Sequence, residues 1–178
     1  SREYDTLVNP QTQRLYVDLP GAELPGCSPN GDCGSVGEDS PRSQSLVGQL
    51  RSRFAAAPEL MAALASTDFV FTDEFYLSGY VDMALYPLEQ NPITCFSQDP
   101  RGFAFWHSPE RWLGQEALYI TLASLHPDPD ELVAEFAPYF EELTAIGEIP
   151  LTRGGTPTET VLVYRARNLQ QPYAYPYP

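Results

Sequence analysis

The sequence predicts an α/β fold, a three-layer sandwich in which a mostly parallel sheet ends in an antiparallel C-terminal hairpin. Short apolar runs typical of buried strands alternate with segments whose apolar residues recur at helical spacing. The last two apolar runs flank the Gly/Pro-containing segment 153–157, which is typical of a hairpin turn. The chain has 178 residues, a length that suits one soluble domain over 1–178.

The individual elements follow from this spacing. Leu15 to Leu19 is predicted as a brief strand, and 20–41 as a long loop insertion rich in Gly, Pro, Asp and Ser. After the loop, helical spacing begins at Ser43 and continues to Leu64, with Pro58 as a break or as the first position of a second helix. The elements predicted next are, in order, a strand over 69–71, a helix over 76–85, a strand over 93–96, a short helix from 108, a strand over 117–122, a helix over 128–147, and strands over 149–152 and 160–165.

The helix over 128–147 has the most complete local signals. Asp128 is a capping residue, Pro129 suits the first helical position, and acidic residues follow in the first turn. Its apolar face is expected to contain Leu132, Phe136, Phe140 and Leu143, with Gly147 at its end. The Tyr/Pro-rich tail over 168–178 is predicted to be flexible or lightly docked.

Composition excludes several classes of partner. Ten arginines against 24 acidic residues give a formal net charge of −14, and the arginines are scattered, so we expect neither a nucleic-acid nor an anionic membrane surface. No run of about 18 apolar residues and no leader are present, so no bilayer span is predicted. Because the chain begins with Ser1, we expect a processed chain or a piece of a longer protein.

No cofactor or metal site is predicted. The sequence lacks a phosphate-binding glycine loop, a GxSxG elbow and metal-ligand spacing. The acidic loop over 30–39 does not match EF-hand spacing and is interpreted as solvated. His107 and His126 each lack a second ligand nearby, so they are interpreted as solvated or capping. Cys27 and Cys33 flank a turn-prone stretch and their pairing stays open, whereas Cys95 is expected to be buried.

Two groups of residues are candidates for binding or chemistry. Asp73 and Glu74 follow a buried strand, at the end of the sheet where α/β proteins bind ligands. They can act as acid and base, or Asp73 can simply cap the next helix. An aromatic and cationic group suits stacking on a sugar or clasping a phosphate, although core packing explains the aromatic residues as well. This group consists of Tyr76, Arg101, Phe103, Phe105, Trp106 and Trp112.

Several motifs in the middle of the chain resemble a known family. They are the stretch Asp68 to Leu77, the pair Leu85-Tyr86, Arg101, the pair Phe105-Trp106, and Gly114 to Ile120. In this order they resemble the soluble region after the membrane spans of bacterial GT-C glycosyltransferases, in the dolichyl-phosphate-mannose protein mannosyltransferase-like group that includes aminoarabinose transferases. The likeness spans about a third of the chain. The insertion Gly26 to Ser40 departs from the pattern, as does Leu85, where an aromatic residue is common.

The resemblance implies an accessory role outside the cytoplasm. In that family the catalytic acids belong to the membrane part, so this chain is expected to contain no catalytic residue and to be inactive alone. The implied location is the periplasmic face, where a bridge between Cys27 and Cys33 can persist, and the implied partner is the membrane-embedded part of the same polypeptide. Asp73, Tyr76, Arg101 and Trp106 are then expected to contact that part, or a sugar or polyprenyl-phosphate ligand.

Two alternatives stay open at this stage. A stand-alone glycoside hydrolase would use Asp73 with a second carboxylate such as Asp99 or Glu110, and it would need the two carboxyl groups about 5 to 9 Å apart across an open groove. The other alternative is an interaction domain with no small ligand.

Overall fold

The computed structural model describes residues 6–8, 15–17 and 45–176 and divides the chain into two units, Ser1–Asp39 and Ser40–Pro178. In the first unit, β1 (Thr6–Val8) and β2 (Leu15–Val17) pair as an antiparallel two-stranded sheet. The predicted loop over 20–41, with its two cysteines and its acidic segment over 30–39, lies outside the described residues.

The second unit alternates helices and strands. Its elements are α1 (Leu46–Ala56), α2 (Pro58–Ala65), β3 (Phe69–Thr72), α3 (Phe75–Leu85), β4 (Ile93–Cys95), α4 (Phe103–Trp106), a 3-10 turn (Pro109–Trp112), β5 (Ala117–Leu122), α5 (Pro129–Phe136), β6 (Phe140–Arg153) and β7 (Thr156–Leu169). In the described part of the chain, no helix is both long enough and apolar enough to cross a bilayer.

The central sheet confirms the α/β prediction. Its five strands lie in the order β4-β3-β5-β7-β6. The strand β3 runs parallel to both β4 and β5, while β7 runs antiparallel to β5 and β6. The sheet is therefore mixed, and the carboxyl ends of three adjacent parallel strands meet at one edge.

Side chains alternate between the two faces of the sheet, as the strand period requires. Val70, Leu118 and Ile120 point to a core shared with α1, α2 and α3. On the other face, Phe71 and Tyr119 stack with ring centroids 4.7 Å apart in a core shared with α5. The helices thus cover both faces of the sheet, which gives three layers.

The predicted helix over 128–147 is wrong beyond Phe136. The helix α5 ends there, and Phe140 starts the strand β6, which pairs with β7 from Phe140 opposite Leu169 to Arg153 opposite Thr156. Pro138 lacks the backbone N–H that a continuing helix needs, and β7 offers a partner along the whole strand. The hairpin is consequently much longer than the predicted segments 149–152 and 160–165.

The C-terminal tail is docked in its described part. Tyr173 is 6% exposed and stacks on Phe96 with ring centroids 4.8 Å apart. The Tyr175 hydroxyl donates to the Cys95 carbonyl oxygen at 3.0 Å. Cys95 is fully buried as predicted, and this burial raises the pKa of its thiol to about 11.

Candidate functional site

The turn between β3 and α3 lies at the carboxyl edge of the parallel strands. Glu74 precedes the first turn of α3, but its side chain makes no capping hydrogen bond. The Thr72 hydroxyl donates to the Glu74 carbonyl oxygen at 2.9 Å and lies 2.6 Å from the Ser78 hydroxyl. These local contacts fix the turn and leave the neighbouring Asp73 side chain available for other partners.

Asp73 belongs to a polar network that joins β3, β5 and the loop after β5. The Thr121 hydroxyl lies 2.8 and 3.0 Å from the two carboxylate oxygens of Asp73. The His126 Nε2 atom bonds to the Asp73 Oδ2 atom and lies 3.4 Å from the Tyr119 hydroxyl oxygen. The side chains of Asp73 and His126 are only 11% and 15% exposed, so the pair is largely shielded from solvent.

This network corrects two interpretations made from the sequence. Asp73 does not cap α3, and His126 is neither a helix cap nor a freely solvated imidazole. The strand register predicts the contact between Thr121 and Asp73. Phe71 pairs with Tyr119, so two residues further along the parallel strands Asp73 comes opposite Thr121. That signal appears only once β3 and β5 are known to be neighbours.

The edge next to Asp73 is acidic. Burial raises the pKa of Glu74, and the negative charges of Asp73 and Asp99 raise it further. Burial also raises the pKa of Tyr76, with additional contributions from the carboxylates of Glu74, Asp73 and Glu159. Tyr76 is consequently a neutral hydrogen-bonding phenol at neutral pH.

The ring of Phe75 contacts both Tyr76 and Arg101. The Phe75 and Tyr76 rings pack edge to face with centroids 5.7 Å apart, and the Arg101 guanidinium lies 4.9 Å from the Phe75 ring centroid. Arg101 also pairs with Asp99, with 3.0 Å between Nε and Oδ1. Its φ of 51° lies in the left-handed region that side-chain-bearing residues rarely adopt. These contacts hold the arginine in a defined position at the end of the loop after β4.

Trp106 extends the same loop region. Its indole lies against Gly102, where an added Cβ would be 3.6 Å from the indole nitrogen, and its ring centroid is 4.6 Å from that of Phe103. Trp106 is 63% exposed and Tyr76 is 41% exposed. We call the exposed side chains of Tyr76, Arg101 and Trp106 the aromatic edge.

Phe105 precedes Trp106 in α4 and is 75% exposed, whereas Trp112, Glu110 and His107 are not part of the aromatic edge. Trp112 is a core residue, 1% exposed and stacked on Phe69 at 4.6 Å. The Glu110 carboxylate accepts a hydrogen bond from the Ser108 hydroxyl on an exposed turn. His107 packs edge to face against Trp112 and lies 3.3 Å from the Arg111 guanidinium.

The aromatic edge offers groups that suit binding. Two exposed aromatic faces, one guanidinium and neighbouring carboxylates suit stacking and hydrogen bonding to hydroxyl groups. Within the described residues, no three His, Cys, Asp or Glu side chains gather in an arrangement that could hold a metal ion.

The chain was also compared with known proteins. Searches of family models, curated proteins and solved structures found no match to this chain.

Proposed function

We propose that this chain is an extracytoplasmic accessory domain of a polyprenyl-phosphate-sugar-dependent membrane glycosyltransferase. It would bind a sugar or polyprenyl-phosphate ligand at the aromatic edge and help to place the acceptor. In this role it performs no group transfer itself, and its partner is a membrane-embedded part of the same polypeptide. The polar network of Asp73 then serves to position the edge, and Tyr76, Arg101 and Trp106 supply the contacts.

The exposure of the aromatic edge is the observation that carries the proposal. Tyr76 and Trp106, like Tyr80 and Phe105, present an aromatic face to solvent, and Arg101 contacts the Phe75 ring that packs against Tyr76. Aromatic faces bind the apolar side of a sugar ring, while carboxylates and guanidinium groups bind its hydroxyls or a phosphate. The carboxyl end of parallel strands is also the usual ligand position in α/β folds.

The residues of the family resemblance support the same region. Asp68 to Leu77 supplies β3 and the beginning of α3, and Gly114 to Ile120 supplies most of β5. Arg101 and Trp106 belong to the loop and short helix after β4. The resembling segments therefore include two of the three parallel strands, β3 and β5, and the edge that we propose as the binding surface.

Tryptophan fluorescence provides a direct test. Trp112 is buried whereas Trp106 is exposed, so acrylamide should quench chiefly Trp106. We expect a member of a panel of glucose, mannose, galactose, arabinose and undecaprenyl phosphate to protect Trp106 from quenching. Trp106→Phe should remove the signal, and Arg101→Gln should weaken binding at least threefold. Leu113→Ala, at another exposed apolar side chain, is the control. Quenching that no panel member changes would contradict the proposed binding.

The proposed link to a membrane-embedded part of the same polypeptide is tested by sequencing the complete gene. The complete reading frame should encode several apolar spans of about 20 residues in addition to this chain. A frame that encodes only this unit would contradict the accessory role, even if sugars bind.

A hydrolase is the second candidate, and the Asp73–His126 pair is the observation that favours it. Carboxylates and imidazoles are the usual groups of acid–base catalysis, and the raised pKa of Glu74 suits a proton donor. Hydrolysis of p-nitrophenyl glycosides by the isolated chain, abolished by Asp73→Asn, would support it. Both Asp73 oxygens are engaged by Thr121 and His126, which favours the accessory role.

A further inference from the structure

A concave surface lies on the face of the sheet that packs against α1 and α3. A groove of about 610 Å³ opens between α1, α3 and the strands β5, β6 and β7. This volume lies within the range of about 300–1,000 Å³ that small-molecule sites occupy.

The groove has an apolar floor and an exposed apolar rim. Leu50, Leu77 and Val161 at the floor are almost fully buried. At the rim, Leu46 is 42% exposed and Tyr80 is 57% exposed. A ligand with an apolar body would remove this rim from water, which favours binding in proportion to the apolar area buried.

The charges of the groove are separated along the hairpin. Glu159 pairs with Leu151, and Arg153 lies two residues further along β6, towards the turn. The Glu159 carboxylate accepts hydrogen bonds from the backbone amides of Ser124 at 3.3 Å and Thr160 at 2.8 Å and from the Ser124 hydroxyl. It is therefore fixed at the groove and not free to fold back into solvent.

Tyr76 and Glu159 both line the groove, so a carboxylate and a phenol are available to a ligand there. Burial raises the pKa of the Tyr76 hydroxyl, and the negative charges of Glu74, Asp73 and Glu159 raise it further. Arg153 is exposed at the hairpin turn, where salt and water screen its charge. These carboxylates favour a positive group near Tyr76 and Glu159 and disfavour a negative one there.

We propose that this groove binds an amphipathic organic cation, a molecule with an apolar body and a single ammonium group. The body would lie on the floor between α1 and α3, and the ammonium would face Glu159 and the ring and hydroxyl of Tyr76. Tyr80 adds a second aromatic face, which attracts cations.

This site goes beyond the proposed sugar-binding role. It shares only Tyr76 with the aromatic edge and involves neither Arg101 nor Trp106. A negative result in the fluorescence experiment would therefore not contradict binding in the groove. A negative titration of the groove would likewise not contradict binding at the aromatic edge.

Isothermal titration of the full chain with four small molecules tests the ligand class. The probes are octylammonium, octanoate, octanol and propylammonium, each below its micellar concentration. We expect saturable 1:1 binding of octylammonium, at least tenfold tighter than that of octanoate or octanol, and much weaker binding of propylammonium. Equal affinities for the three octyl compounds, tighter binding of octanoate, or no binding at all would overturn the proposal.

Variants locate the charged end. Glu159→Gln keeps the shape of the side chain and should weaken octylammonium binding at least fivefold without changing octanol binding. Glu148→Gln, on the same hairpin but outside the groove, is the matched control and should change neither affinity. Tyr80→Ser at the exposed rim should weaken the binding of both octylammonium and octanol. Octylammonium binding that is insensitive to both Glu159→Gln and Tyr80→Ser would place the ligand elsewhere and refute the site.

Discussion

Replacing Thr121 by valine isolates the contact that holds Asp73 at the edge of the sheet. Thr121 is fully buried, and its hydroxyl lies within hydrogen-bond distance of both oxygens of the Asp73 carboxylate. Valine has nearly the same shape and the same β-branched preference for strands. The substitution therefore removes one hydroxyl donor from a largely buried carboxylate that keeps its contact with His126.

The expected cost follows from the charge on the acceptor. A hydrogen bond to a charged group contributes about 1.5–3 kcal/mol to the free energy of unfolding. For a chain of this size, about 1 kcal/mol corresponds to a Tm change of roughly 2–4 °C. We expect Thr121→Val to lower the Tm by roughly 3–12 °C at pH 7, measured by circular dichroism and by urea unfolding.

A matched control separates this contact from general effects of losing a buried hydroxyl. Thr94 is 2% exposed, and its hydroxyl lies 3.3 Å from the neutral Tyr175 hydroxyl. Thr94→Val should therefore cost only about 0.5–1.5 kcal/mol. In an Asp73→Ala background, Thr121→Val should lose most of its effect. The reasoning is refuted if Thr121→Val costs no more than Thr94→Val, or if its cost is unchanged without Asp73.

Two further substitutions test the acidic edge and the packing of the hairpin. Because the folded state raises the pKa of Glu74, its contribution to stability is present at acid pH and is lost as the pH rises through that pKa. Glu74→Gln should accordingly raise the free energy of unfolding at pH 7 and lose this advantage near pH 4; a gain that is equal at both pH values would contradict the assignment. A Cβ on Gly147 would lie 2.9 Å from a methyl carbon of the buried Leu60, so Gly147→Ala should destabilise the chain by about 1–3 kcal/mol through overpacking. Gly79→Ala, on an exposed helical position with open space, should instead stabilise it by up to about 1 kcal/mol, as denaturant unfolding can measure.

Signals from neighbouring residues in the sequence were sufficient to predict several elements. The helix predicted over 76–85 matches α3 (Phe75–Leu85), and the strand predicted over 117–122 matches β5 (Ala117–Leu122). Pro58 starts α2, which is one of the two roles that the sequence allowed it. In each of these segments the apolar period and the flanking proline or glycine agree with the final packing.

The segment after α5 shows where local signals fail. Phe140 and Leu143 continue the helical spacing of Leu132 and Phe136, so the sequence favours one long helix. In the fold, Phe140 and Leu143 pair with residues of β7 more than 20 positions away. Strand pairing over such a distance is a tertiary contact, and it overrides a weak local propensity.

By itself the sequence determined the α/β class, the buried strands, and the aromatic and acidic residues that follow β3 and β4. Tertiary structure alone decided that Asp73 joins His126, which is 53 residues away, and that Tyr76 borders a groove with Glu159. Apolar period and turn chemistry act over a few residues. Which strands become neighbours depends on how all the apolar faces are buried together, so only the folded sheet brings these side chains into contact.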